Sequence, residues 1–145
     1  MATITHADLR AVVERFMLCQ RRRDPAALAE LYALDGTAES PMYGTLVGRD
    51  AIEEAYASFF TSFPDATAEV DSMVIEPPHL AIFSTFTATH VNEFFGLPGT
   101  GRRIDFRGAR WLQMEGDLIK HERRIYDFTG ILVQVGVLRA KPAKP

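Results

Sequence analysis

The chain has 145 residues, of which 47% are hydrophobic and 24% charged, and a net charge of −3. That is enough chain for one domain with its own core, and the acidic balance gives no footing for a nucleic-acid partner. A single cysteine, Cys19, excludes an intramolecular disulfide. Together with an opening stretch, MATITHADLR, that has no apolar signal core, it fits a cytoplasmic setting; no apolar run approaches the ~20 residues of a membrane span.

Thr5 is an N-cap candidate with Asp8 three residues on. Leu9, Val12, Val13, Phe16 and Met17 then recur at helical spacing, predicting a first helix to about residue 23. Arg21, Arg22 and Arg23 suit the negative end of the helix dipole and read as a solvated helix end. Asp24-Pro25 restarts a helix over 25–32 that buries Leu28, Leu31 and Tyr32. A short strand, 37–40, and a turn, 41–44, follow. Gly48-Arg49-Asp50 opens a third helix over 51–63, whose stripe of Ile52, Ala55, Tyr56, Phe59, Phe60 and Phe63 packs on a sheet, and Pro64 ends it.

From residue 65 the pattern is of strands, over 66–75, 80–94 and then a long hairpin within 101–126 that turns at 114–118. On its first strand Ile104, Phe106, Gly108, Arg110, Leu112 and Met114 share a face; on its second, Leu118, Lys120, Glu122, Arg124 and Tyr126 do. Charges on both faces favour a hairpin that lines a polar cavity. Asp127 caps the turn into a short helical or extended tail, 131–137. The layout is one α+β domain over 1–138 with a flexible basic tail over 139–145: three helices, then an antiparallel meander curving into a concave pocket.

The stretch Thr89-His90-Val91-Asn92-Glu93-Phe94-Phe95-Gly96-Leu97-Pro98-Gly99-Thr100-Gly101-Arg102-Arg103 resembles the SnoaL-like polyketide cyclases, where a histidine strand leads to a G-x-P-x-T-x-R-R turn. Asp127-Phe128-Thr129-Gly130 with Leu132, Gln134 and Gly136 resembles their closing D-F-x-G-x-L-x-Q-x-G motif, at the family's spacing. Gly48-Arg49-Asp50-Ala51-Ile52 resembles the helix opening of the wider nuclear-transport-factor-2-like superfamily. The resemblance implies a cone-shaped α+β barrel, about three N-terminal helices in a curved, mainly antiparallel sheet of four to six strands. It also implies a homodimer and cofactor-free catalysis, often an intramolecular aldol closure.

The family's acid/base aspartate lies three residues before the aspartate of D-F-x-G, and Arg124 stands there. Arg110 and Gly108 replace an assisting histidine and glutamine, Glu122 replaces a further histidine, and His90 matches in kind. Limonene-epoxide-hydrolase-like members also have an aspartate at the position of Arg124.

An arginine stays protonated, so Arg124 and Arg110 are candidates to hold a carboxylate or enolate oxygen. Glu122 and His90 are the candidates to move a proton, and Tyr43 and Tyr56 to turn hydroxyls inward, with core packing as the alternative for both. An Arg110–Glu122–Arg124 network that only satisfies buried charge is the competing reading. Trp111, on the opposite strand face, is expected at a dimer surface. No metal-ligand spacing and no phosphate loop is present, so no metal and no cofactor are expected. Three functions follow: a cofactor-free isomerase, lyase or cyclase on an acidic or enolisable hydrophobic molecule; a non-catalytic small-molecule-binding or dimerisation module; or an epoxide-hydrolase-like enzyme.

Overall fold

The computed structural model describes residues 3–139; the expected basic tail lies, beyond Arg139, outside the described residues. Thr5 caps α1 (His6–Arg22) in a reciprocal box with Asp8. Arg23 closes the helix in the left-handed region, at φ 50°, and its Nε donates to the Pro64 carbonyl at 2.8 Å. Asp24 caps α2 (Pro25–Ala29), which stops short of the expected residue 32. Tertiary pairing wins there. Tyr32 begins β1 (Tyr32–Ser40) opposite Ile119, and the Arg49 Nε and Nη2 donate to its carbonyl at 3.1 and 2.5 Å. The Gly-Arg-Asp opening of α3 (Arg49–Ser62) therefore anchors β1 as well as starting a helix.

Between them lies β2 (Gly44–Val47), a short edge strand that the sequence reading, with a turn over 41–44, does not include. Four longer strands follow: β3 (Thr67–Glu76), β4 (His79–Thr89), β5 (Arg103–Glu115) and β6 (Leu118–Tyr126). The expected four-strand meander is thus part of a six-stranded sheet in the order β2-β1-β6-β5-β4-β3, antiparallel except where β1 runs parallel to β6. The curved sheet is not closed. Among the described residues no helix is long and apolar enough to cross a membrane.

β4 ends at Thr89, before the expected residue 94. The Asp65 carboxylate accepts from the Thr89 N–H and hydroxyl, both at 2.7 Å, and Val91 and Asn92 donate to the Ser62 carbonyl, pulling the chain away from the sheet. The following loop doubles back, with His90 and Gly101 or Arg102 exchanging backbone hydrogen bonds at 2.8 Å.

One face of the sheet is covered by helices, α1 against β3 and α3 against β1, and buries Leu9, Val13, Phe16, Ile52, Leu80, Ile82 and Leu112. Asp127 caps α4 (Phe128–Val135) by accepting from the Gly130 N–H at 2.8 Å. β6 ends where Tyr126 meets Gly108, so β5 has an open edge before that point. The Gln134 amide fills it, pairing with both backbone groups of Asp105 at 2.8 Å.

The expected face of β6 is broken. Gln113 pairs with His121 but Met114 pairs with Ile119, leaving Lys120 as an extra residue in a bulge. Ile119 is therefore fully buried, while Lys120 turns out to Asp35 at 2.6 Å. Glu122 and Arg124 keep the inward phase that strict alternation from Leu118 assigns them, with the bulge between.

Gly99 sits where this loop folds on itself, and a Cβ there would overlap the Val91 carbonyl. Gly99→Ala is expected to destabilise the fold by about 2 kcal/mol or more, since backbone has to move. A melting temperature equal to the wild type's would show that the loop is not so tightly closed.

Candidate active site

The site is built on the β5–β6 ladder, where Arg110 and Arg124 are direct cross-strand neighbours. Like charges so placed repel. Glu122, two residues before Arg124 on the same face, resolves the conflict. Its Oε2 accepts from Arg110 Nη1 at 2.6 Å and its Oε1 from Arg124 Nε at 2.9 Å. Tyr32, from the head of β1, donates its hydroxyl to Oε1 at 2.8 Å.

The direction of the remaining bonds follows from these. A carboxylate only accepts, so the Tyr32 proton is committed to Glu122. The Tyr56 hydroxyl, 2.8 Å from that of Tyr32, must then be the donor between them, and it accepts from Arg110 Nη1 at 3.2 Å. The circuit Arg110–Tyr56–Tyr32–Glu122 closes on itself. The Tyr56 ring also lies under the Arg124 guanidinium, 5.0 Å from its centre, and Phe16 of α1 lies at the same distance from that of Arg110.

Burial by itself would push the Glu122 carboxyl up. The Arg124 and Arg110 charges, with hydrogen bonds from Arg110 and Tyr32, outweigh it and hold the group at about 2. Burial likewise pushes up the Tyr32 phenol, helped by the neighbouring carboxylate. Burial disfavours the charged forms of both arginines, yet Glu122 and the tyrosines keep both more firmly protonated than usual.

A cavity opens above this network between α3, α1 and the sheet. Its unfilled volume is about 610 Å³ with its open mouth included, but the centre of a water molecule has only about 60 Å³ in which to move. That space takes a few waters or one flat ring. Arg110, Arg124, Tyr43 and Tyr56 line it. Phe86 and Phe106, stacked at 4.8 Å, form part of its wall. Two residues of the lining each carry a buried polar atom without a hydrogen-bond partner, Arg124 Nη2 and Gln20 Oε1.

The two expected proton carriers are placed differently. Glu122 is 1% exposed, lies outside the lining, and has both oxygens occupied by cations. A carboxylate so stabilised is a weak base. His90 is fully buried and also outside the lining, between Phe63 and Phe94, with Nδ1 accepting from the Thr100 N–H at 3.3 Å. Among the described residues no group of three or more His, Cys, Asp and Glu side chains is arranged to hold a metal ion.

Two residues of the site escaped sequence reasoning. The sequence pattern places Tyr32 at the apolar end of α2. Gln20 continues the buried stripe of α1, one turn after Phe16 and two after Val13, and a polar residue in that register was the available signal.

The family model described as SnoaL-like polyketide cyclase matches residues 10–135. A steroid Delta-isomerase from Nocardioides simplex is 45% identical over 53 residues, 36% of this chain; that match spans 43% of the relative's length. AclR from Streptomyces galilaeus superposes with a TM-score of 0.82 at 23% identity, covering 95% of this chain and 87% of its own. A protein with a ketosteroid isomerase-like fold from Catenulispora acidiphila superposes with a TM-score of 0.73 at 20% identity, covering 86% of this chain and 92% of its own. These two likenesses establish the fold.

The network sets different costs for its members. Glu122→Gln leaves two buried guanidinium groups facing each other and is expected to cost about 3–5 kcal/mol. Arg124→Met leaves a neutral Arg110–Glu122 pair and is expected to cost about 1–3 kcal/mol. Chemical denaturation measures both, and the reverse order would mean that Glu122 is not the centre of the network. The Glu122 carboxyl is depressed from the usual 4.5 to about 2. Its contribution is therefore fully present above pH about 4.5 and lost as pH falls towards about 2. Melting curves in that window should fall less steeply for Glu122→Gln than for the wild type.

Proposed function

The chain belongs to the SnoaL-like polyketide cyclase family, and from that premise we propose that its cavity takes a small hydrophobic molecule with an acidic or enolisable group. In this reading Arg124, supported by Arg110, stabilises negative charge on the ligand's oxygen in a cofactor-independent isomerase- or cyclase-type reaction. One observation carries the reading: Arg124, a lining residue of the cavity, keeps a buried guanidinium nitrogen without a partner, and the two arginines exceed Glu122 by one positive charge. A desolvated donor of this kind is worth most where charge develops during reaction. Tyr43 and Tyr56 bound the ligand, and Glu122 acts by positioning the arginines.

Among the lining residues there is neither carboxylate nor imidazole. Proton removal from carbon then falls to water or hydroxide, made easier because the arginines stabilise the enolate and so make the substrate itself more acidic. The same absence favours a second reading, in which the cavity binds an acidic molecule without turning it over. An epoxide-hydrolase-like reaction needs a carboxylate to activate water, and the engagement of Glu122 with both arginines argues against it.

We further propose that the protein is a cytoplasmic homodimer formed through the outer face of the sheet. Phe83, Ala109 and Ile125 occupy one rung there and Ala81 and Trp111 the next, with Phe83 and Ile125 exposed at 43% and 67%. Cys19, free and half-buried, fits a reducing compartment.

Steroid double-bond isomerisation, the reaction denoted by the relative's name, is a direct assay, read by the absorbance of the conjugated ketone. With no protein base, kcat/KM should climb through the neutral range; a plateau above pH about 5 would instead identify a carboxylate base. Arg124→Met should lower kcat/KM by about 10²-fold. Binding of a ketone or enolic acid without turnover would select the second reading. For assembly, sedimentation should give a dimer that Phe83→Glu with Ile125→Glu converts to a folded monomer. A wild-type monomer at micromolar concentration would refute the dimer.

A further inference from the structure

Gln20 lies on α1, opposite the strands that carry the arginines, and it is 3% exposed. Its position in an apolar helix stripe costs stability unless the amide is used. No intramolecular bond uses its Oε1, which shares the cavity lining with the unpartnered Arg124 Nη2. The residues that line the cavity therefore include a cationic donor that lacks an acceptor and a neutral acceptor that lacks a donor. Between them the walls are flat and apolar. Phe86 and Phe106 are stacked 7° from parallel, and the Tyr126 ring lies 5.5 Å from that of Phe106. Gly108, between Phe106 and Arg110 on β5, adds no side chain to the floor.

We propose that Gln20 is a specificity-determining residue, and that the ligand is a planar acid or enol carrying a separate hydroxyl or N–H donor. Its anionic oxygen meets Arg124 Nη2, its donor meets Gln20 Oε1, and its ring lies against Phe86 and Phe106. The inference rests on the reading of the cavity as an anion-binding site and adds to it a second point of recognition. Molecules with the acid but no donor leave the Gln20 oxygen buried and unpaired, so they bind less well. Such a loss discriminates strongly between ligands of equal size.

Monocyclic probes match the small free space of the cavity. Benzoate, the three hydroxybenzoates, their methyl ethers and their methyl esters would be titrated by calorimetry into wild-type protein, Gln20→Leu and Arg124→Met. At least one hydroxybenzoate is expected to bind about tenfold more tightly than benzoate, the worth of about 1.4 kcal/mol. The matching ether should lose that gain. Gln20→Leu should remove the same gain, so that hydroxybenzoate and benzoate bind equally well, and Arg124→Met should remove binding of all the acids. If benzoate binds through Arg124 but no hydroxyl improves it, or Gln20→Leu keeps the preference, the role of Gln20 is overturned and the anion site stands. If no acid binds, or the esters bind equally well, both readings fall.

Discussion

A carboxylate that solvent does not reach accepts hydrogen bonds from two guanidinium groups, at 2.6 and 2.9 Å, and from a phenol at 2.8 Å. Removing such groups from water is expensive, and their mutual attraction compensates only when every member is in place. Glu122 is thus the point on which strands β1, β5 and β6 and helix α3 agree, because each supplies one of its contacts or one contact removed. The triad is left with one positive charge in excess. That excess, with the unpartnered nitrogen of Arg124, gives the cavity its chemical character.

The precision of this arrangement comes from backbone devices some distance away. The bulge at Lys120 moves one residue out of the β6 ladder, so that Ile119 enters the core while Glu122 and Arg124 still face inward. Arg49 grips the Tyr32 carbonyl and so places the Tyr32 hydroxyl against Glu122. Gln134 closes the open edge of β5 at Asp105, beside Phe106 in the cavity wall. Two of these residues, Arg49 and Gln134, lie in the motifs that carry the family resemblance in the sequence. Their work is to complete backbone hydrogen bonding.

Membership of a family fixes the scaffold more firmly than it fixes the chemistry. A carboxylate at position 124 would be an acceptor able to take a proton; the arginine here is a permanent donor and can only stabilise negative charge. Nor does Glu122 restore the lost base, since its acidity is set by the same two arginines that it orients. The proposed chemistry, charge stabilisation with the proton passing to solvent, follows from that exchange of roles on an unchanged sheet.

The cap residues Thr5, Asp24 and Asp127, the helical stripes of α1 and α3, and the long hairpin are legible from sequence because each depends on neighbours within a few residues. So is the shared face of Arg110 with its partners Glu122 and Arg124, which follows from period-two alternation within each strand. The pairing of β1 with β6 is not legible. Whether Tyr32 ends a helix or starts a strand was decided by a parallel pairing to β6, 87 positions along in the case of Ile119 (119 − 32). Whether Glu122 and His90 reach the cavity was decided by three-dimensional packing: two arginines cover the first, and a loop folded over Phe63 and Phe94 encloses the second. Local spacing determines which residues can form an element and which face they share. The identity of the groups that meet in a buried space, and hence their acidity and the hydrogen bonds left open, exists only once distant strands and helices have closed around it.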